Sequence, residues 1–507
     1  MSERPNIILI QTDQQSWSTL SLYGNPVLDT PAIEGLADRG VVFERAYCNY
    51  PACAPSRSSM MTGRYASTIR NHANHMLIDP REQTLPSTLK RGGYQTALVG
   101  KNHAFFDAQA DYYRSQSDPV REPGDSELHR AFDFVFQGGH VAVDDADSDP
   151  DLAAAIEHAR QKSWGQQHSW SVNPYPAEKS VTHRLTTEAI RYVTDVRDPD
   201  EPFFLWFSIP DPHTPYQVSE PYASMYDPDS IPSPIADSLD GKPERQKVAH
   251  YLDHNHLHDD AHFRQLRAIH YGMIRQIDDN LARLFAALAK QGLTDNTMIV
   301  FLSDHGDAIG DHGIIQKHNF FYDSFTRVPF IVSWPGRVAP QRTAPARTTE
   351  LVELVDVMPT LLDAAGVDAP HGLQGESLMP FLTGATSTTK DAVFIESGEA
   401  GDPPKLSDVV DAAGNVVDRG TSFAWCAFRD AWIGRGRAIR TAKWKLCLYA
   451  NGDGELYDMV KDPDEVTNRF ADPTAATIRA QLTERLALWQ MGKDDTIPEN
   501  PTVKLSL

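Results

Sequence analysis

The chain has 507 residues, of which 41% are apolar and 23% charged, with a formal net charge of −22. That make-up suits a soluble globular protein long enough for two domains, and its charge excludes a broad phosphate-gripping nucleic-acid surface, though not a local cationic pocket. The four cysteines (Cys48, Cys53, Cys426, Cys447) are too scattered for a disulfide framework or a paired zinc site.

In chain order, the opening "MSERPNIILIQTDQQ" holds an apolar run too short for a signal peptide or a membrane span. No later run is long enough either, so a cytoplasmic protein without membrane contact is expected. Four short runs read as buried parallel strands: "NIILI" from Asn6, "QTALVG" from Gln95, "PFFLWFSI" from Pro202 and "MIVFLS" from Met298. "DTPAIEGLADRG" predicts a helix with Thr30 as N-cap, Pro31 at the first position and Gly40 as a stop. In "CAPSRSSMMTG" a short helix is expected, with Pro55 near its start and Cys53 at its positive end. A longer helix over 264–292 carries Leu266, Ile269, Met273, Ile277, Leu281, Leu284 and Leu288 as one apolar stripe. Strands alternating with helices predict an α/β fold.

The polar stretches from about Phe105 to Val181 and Glu220 to Phe263 read as insertions. A Gly/Ser/Thr-rich stretch near residue 388 predicts a boundary. Residues 1–388 are expected to form an α/β domain, and 389–507 a smaller α+β unit with short strands and a closing helix in "AATIRAQLTERLALWQ". Cys426 and Cys447 fall in those strands and read as inert. The acidic "DDADSDPDL" has Pro150 where a calcium loop needs glycine, and reads as a solvated loop. "HNHLHDDAH", with His254, His256, His258 and His262, reads as a surface loop rather than a second metal site. The tail "DDTIPENPTVKLSL" is a candidate for crossing to a neighbouring subunit, which makes a homo-oligomer conceivable.

The polar residues immediately after each predicted strand carry the functional argument. Asp13 and Gln14 come after the first, Lys101 and His103 after the second, His213 after the third, Asp304 and His305 after the fourth. Open α/β sheets bind ligands beyond the carboxyl ends of their strands, so these side chains converge on one edge. Two carboxylates and an amide oxygen suit Ca²⁺, Mg²⁺ or Mn²⁺, and the imidazole of His305 makes Mn²⁺ more tolerable. Arg57, Lys101 and Lys317 would receive a small, multiply charged oxyanion. At a helix N-terminus, Cys53 would be a low-pKa thiol.

"CAPSRSSMMTGR" resembles the signature of the formylglycine-dependent sulfatases of the alkaline phosphatase superfamily. "GKNHA", "PDPHTPY", "SDHGDAIGDHGIIQK", "RVPFIV", "LVELVDVMPTLLDAAG" and "ELYDMVKDPDEVTN" resemble further stretches of that family. The resemblance implies an alkaline-phosphatase-like mixed sheet between helices, with a C-terminal antiparallel sheet and helix. It implies that a formylglycine-generating maturation enzyme oxidises Cys53 to an aldehyde. One hydroxyl of the aldehyde's hydrate attacks sulfur and the other drives release of sulfate. Asp13, Gln14, Asp304 and His305 would hold one divalent ion, Ca²⁺ first, beside residue 53. Asp304 would also accept the attacking hydroxyl's proton. Arg57 and Lys101 would favour the ionised hydrate, and His103 would take the second proton. Lys317 and His213 would bind sulfate oxygens, and Asn74 would touch substrate.

Asp13-Gln14 and Asp304-His305 depart from the commoner sulfatase pairs and resemble choline sulfatases and phosphonate monoester hydrolases. Those phosphonate hydrolases replace the lysine and histidine that this chain keeps as Lys101 and His103. The expected activity is therefore hydrolysis of aryl or small organic sulfate monoesters. The alternatives are a phosphonate monoester or phosphodiester hydrolase, and a non-catalytic protein that binds sulfate esters.

Overall fold

The apolar runs form strands because each can be buried on both sides. The computed structural model describes residues 4–106, 127–139, 170–254, 259–338, 346–403, 405–409 and 434–493. In β1 (Asn6–Thr12), Ile7 and Leu9 enter one core and Ile8 and Ile10 the other. Strand β6 (Phe203–Ile209) divides likewise, with Phe204 and Trp206 on the first face and Phe203, Leu205 and Phe207 on the second. Two-sided burial turns the usual alternation of strand residues into continuous apolar sequence.

The main sheet runs β11 (Ala346–Glu353), β2 (Gly40–Tyr47), β10 (Phe330–Ser333), β8 (Thr297–Ser303), β1, β6, β3 (Gln95–Gly100), β4 (Phe134–Gln137), with β9 (Arg327–Val328) paired to β2. β8, β1, β6, β3 and β4 are mutually parallel. β10 is antiparallel to both β8 and β2. The first face is covered by the helices Cys53–Thr62, Leu85–Arg91 and Val357–Ala365, through Met60, Met61, Leu85, Leu89, Leu361 and Leu362. The second is covered by Pro31–Ala37, Val181–Arg191 and the long helix Asp260–Lys290.

That long helix contains the expected stripe, divided between two partners. Ile277, Leu281, Leu284 and Leu288 pack on the sheet. Leu266, Ile269 and Met273 pack on Tyr216 and Val218 of β7 (Tyr216–Val218), which pairs with β5 (Trp170–Val172). At 1.5 Å per residue a helix of this length runs roughly 45 Å, longer than one sheet face.

Some local expectations are corrected. Thr30 stands before the helix Pro31–Ala37 without a side-chain cap bond. Asp278 of the long helix reaches across and accepts the N–H groups of Ala32 (3.0 Å) and Ile33 (2.8 Å) instead. Gly40 opens β2, where a Cβ would stand 2.3 Å from the Val332 carbonyl oxygen; close strand approach accounts for this glycine. The polar stretch 220–263 carries the helix Glu244–His254, and His262 lies in the first turn of the long helix. His256, His258, Cys426, the acidic stretch 144–152 and the tail lie outside the described residues.

The C-terminal sheet, β12 (Ala392–Ser397), β13 (Gly436–Thr441), β14 (Trp444–Tyr449) and β15 (Gly454–Asp458), is antiparallel. One face, with Val393, Ile395, Ala438 and Tyr449, packs on Tyr47, Phe321 and Phe325 beside the main sheet. The other, with Ile439, Leu446 and Leu456, packs under Leu482 and Leu486 of the closing helix Ala476–Met491. Cys447 is buried, and burial pushes its thiol pKa well up, as suits an inert core residue. Among the described residues, no helix is long and apolar enough to cross a membrane.

Candidate active site

The adjacent parallel strands β8, β1, β6 and β3 end at one edge, and each delivers side chains there. Asp13 and Gln14 follow β1, Lys101 and His103 follow β3, His213 follows β6, and Asp304 and His305 follow β8. The helix Cys53–Thr62 points its N-terminus at this edge, and all ten of its residues are buried. Gly63, in the left-handed region with φ 65°, ends it. The Ala54 N–H, one of the unpaired groups of its first turn, donates to Asn74 Oδ1 at 3.1 Å. Asn74 thus holds the start of the Cys53 helix.

Ligand atoms of Asp13, Cys53, Asp304 and His305 all lie within 4.8 Å of one another, and all four residues are buried. The Cys53 Sγ is 3.1 Å from His305 Nε2 and 3.6 Å from Asp13 Oδ1. His305 Nε2 is 3.8 Å from Oδ1 of both Asp13 and Asp304. His305 Nδ1 lies 2.9 Å from the Gly306 carbonyl, which can only accept, so Nδ1 carries a proton; burial opposes a second one, but Asp304 and Cys53 raise the ring's pKa, and loss of that second proton turns an Nε2 lone pair inward. Two carboxylate oxygens and an imidazole lone pair facing one point fit a divalent cation.

The outer carboxylate oxygens are tied down by cations. Arg57 donates from Nε to Asp304 Oδ2 at 2.7 Å and from Nη2 to Asp13 Oδ2 at 3.1 Å. Its Nη1 donates to the Lys101 carbonyl (2.9 Å) and to Ser208 Oγ (2.7 Å). Lys101 Nζ also pairs with Asp13 Oδ2. Burial pushes the Asp13 carboxyl pKa up, yet Lys101, His213 and Arg57 together hold it below the usual range. Burial also opposes the Cys53 thiolate, but Lys101, Lys317 and His305 outweigh it and bring that thiol well below its ordinary value.

Lys317 Nζ bonds Gln14 Oε1 and lies 2.8 Å from His213 Nε2. An ammonium only donates, so His213 Nε2 is the acceptor. His103 Nε2 lies 2.9 Å from the Asn74 carbonyl, so Nε2 carries the proton and Nδ1 is the basic nitrogen. Burial lowers the pKa of both His103 and His213 and so favours neutral rings; the His213 lone pair already accepts from Lys317, which leaves His103 as the base. The residues expected from the sequence are therefore together. Asp307, Tyr216 and Ser208 are added to them. All three lie within or beside the quoted segments, but nothing in the spacing shows that Ser208 meets Arg57 or that Asp307 meets Gln14.

The family model described as Sulfatase matches residues 5–367. The chain belongs to the sulfatase family. Membership carries the expected reaction class, hydrolysis of sulfuric esters. This sulfatase is 27% identical to an arylsulfatase of Clostridium perfringens, over 92% of this chain and 90% of that one. It is 28% identical to the multifunctional alkaline phosphatase superfamily protein PehA of Trinickia caryophylli, over 97% and 96%. Against the choline-sulfatase of Rhizobium meliloti the identity is 26%, over 96% and 87%. Among solved structures, the phosphonate monoester hydrolase of Agrobacterium radiobacter superposes with a TM-score of 0.74 at 25% identity, covering 97% of this chain and 96% of that one. The sulfatase thus has the alkaline-phosphatase-like fold expected from its sequence.

Proposed function

We propose that this sulfatase hydrolyses aryl or small organic sulfate monoesters, with residue 53 in its formylglycine form and one divalent cation at Asp13, Asp304 and His305. The observation that carries the reading is the grouping of Lys101, Lys317, His103 and His213 around residue 53 in a buried site. A sulfate monoester carries one negative charge spread over three terminal oxygens, which Lys317 would meet while Lys101 balances Asp13 and an ionised residue 53; two imidazoles stand beside them for its proton transfers.

Cys53 Sγ stands where the oxygens of a hydrated aldehyde would lie. Such a hydrate supplies two hydroxyls, one to bond sulfur and one to expel sulfate afterwards. Asp13, Asp304 and His305 would hold the cation, with Gln14 as a further ligand, and it would supply Lewis acidity to the reaction. Lys101 and Arg57 place positive charge beside residue 53 and favour its ionised form. His103 Nδ1 accepts the proton of the remaining hydroxyl. Lys317 faces the sulfate, and His213 stands beside it at the leaving oxygen. Burial excludes bulk water, which strengthens each of these contacts.

The likeness to PehA and to the phosphonate monoester hydrolase supports a second reading, hydrolysis of phosphodiesters or phosphonates at the same site. The test is a substrate panel on enzyme co-produced with a formylglycine-generating enzyme and supplied with Ca²⁺ or Mn²⁺. 4-Nitrophenyl sulfate should show the highest kcat/KM. Preference for a phosphonate monoester or a phosphodiester would replace the first reading with the second, and no turnover of any of them would leave a binding protein.

A further inference from the structure

The Gln14 side chain is an amide, nearly symmetrical in shape and opposite in chemistry at its two ends. Nε2 donates to Asp307 Oδ2 at 2.6 Å, and Oε1 accepts from Lys317. A carboxylate only accepts and an ammonium only donates, so neither neighbour tolerates the reversed amide. The Gln14 backbone is also constrained: it sits in the left-handed region with φ 65°, and its N–H donates to Asp304 Oδ1 at 3.1 Å.

Asp307 is held as firmly as it holds. It is fully buried. Oδ2 also accepts from the Tyr216 hydroxyl at 2.6 Å. Oδ1 accepts the N–H groups of Ile309 (2.9 Å) and Gln316 (2.8 Å). The Ala308 N–H donates to the Gln316 carbonyl at 2.9 Å, closing the loop 308–316 immediately before Lys317. One carboxylate therefore holds the Gln14 amide directly and the backbone of Gln316, the residue before Lys317.

We propose that Asp307 is a positioning residue that fixes the sense of the Gln14 amide, oxygen toward Lys317 and the cation site, and fixes the place of Lys317 through Gln316. The inference rests on the active-site reading above. An asparagine in place of Asp307 has one acceptor oxygen. If that oxygen keeps the loop N–H groups, its NH₂ faces the Gln14 NH₂, and the Gln14 amide must turn its NH₂ toward Lys317. A glutamate in place of Gln14 restores the pattern, because it accepts both from the NH₂ of that asparagine and from Lys317. With Asp307 present, the same glutamate sets two carboxylates face to face.

The test is the cycle Asp307→Asn, Gln14→Glu and the double variant in the full chain. It reads kcat/KM on 4-nitrophenyl sulfate, and Ca²⁺ or Mn²⁺ affinity from the rise in melting temperature over a chelated sample. Each single variant should lose roughly tenfold or more in both readouts, the usual size for residues that orient metal ligands. The double variant should recover most of both losses. Additive losses, or an Asp307→Asn variant with parental values, overturn the proposal. Should Asp307→Asn fail to fold, Gln14→Glu decides alone: tighter Ca²⁺ binding, the result of added charge without constraint from Asp307, overturns it. A parent enzyme that binds cations but turns over no sulfate overturns the proposed function, while the titrations still judge Asp307. A parent with neither property overturns both.

Discussion

Arg57→Met tests whether the charge balance of the site also holds the fold together. Methionine keeps much of the volume, so the loss reports electrostatics more than a cavity. The arginine has no exposed surface and bonds Asp304 at 2.7 Å and Asp13 at 3.1 Å. Removing one partner of a buried ion pair costs about 3–5 kcal/mol. Here one guanidinium serves two carboxylates, but Asp13 keeps Lys101, and Asp304 Oδ1 keeps the N–H groups of Gln14 and His305, so about 4 kcal/mol is the working figure. An unfolding entropy of about 2 cal/mol/K per residue gives roughly 1 kcal/mol/K for a chain this long, hence a melting temperature lower by about 4 °C. Scanning calorimetry in chelator should show that shift. Millimolar Ca²⁺ should shrink it, because a cation between the two carboxylates replaces part of the missing charge. A drop under about 1 °C in chelator would refute the charge-balance argument, and an equal drop with and without Ca²⁺ or Mn²⁺ would refute cation binding between Asp13 and Asp304.

Other expectations concern chemistry and pH. Mass spectrometry of the tryptic peptide containing residue 53 should show a species lighter by the thiol-to-aldehyde difference, in proportion to specific activity; full activity with only the thiol would remove formylglycine from the mechanism. In matured enzyme, His103→Ala should give a burst of released alcohol of about one per active site followed by slow turnover, since its assigned role lies in freeing residue 53; an unchanged steady rate would reassign it. Burial outweighs the two N–H bonds to Asp278 and raises its carboxyl from 3.8 to about 6. Across that window the folded chain binds more protons than the unfolded one, so this group's stabilising contribution is full at low pH and is lost as pH rises toward 6. Asp278→Asn should remove that decline, so the variant-minus-parent stability measured by urea unfolding should rise as pH goes from 3.8 to about 6, and parallel curves would refute the shift.

Much of the chemistry was legible because it lies at the strand ends. Continuous apolar runs reveal doubly covered strands, and the polar residues after them must lie at one edge. The hidden part depends on pairing between distant segments. Nothing in a four-residue run such as Phe330–Ser333 says that it runs antiparallel between β8 and β2. Thr30 looked like a cap because short polar residues before Pro usually are, but a carboxylate from a helix some 250 residues away does that work. Asp307 was within a quoted segment, yet its role appears only once Gln14 and Gln316 are beside it.

The burial of Cys53 sets an order of events. Its side chain is 2% exposed, at the end of a helix with no exposed residue. A second protein can act on that thiol only before the surrounding strands close over it. Asp304 and His305, which complete the enclosure, emerge about 250 residues after Cys53. At about 5–20 residues per second, synthesis alone keeps the stretch around Cys53 open for roughly 12 to 50 s. After that, the proposed maturation of residue 53 would compete with folding itself, and a chain that folds first would be sealed with its thiol intact. Supplying the modifying enzyme to finished protein should then be futile, whereas slowing translation between residues 53 and 304 should raise the converted fraction.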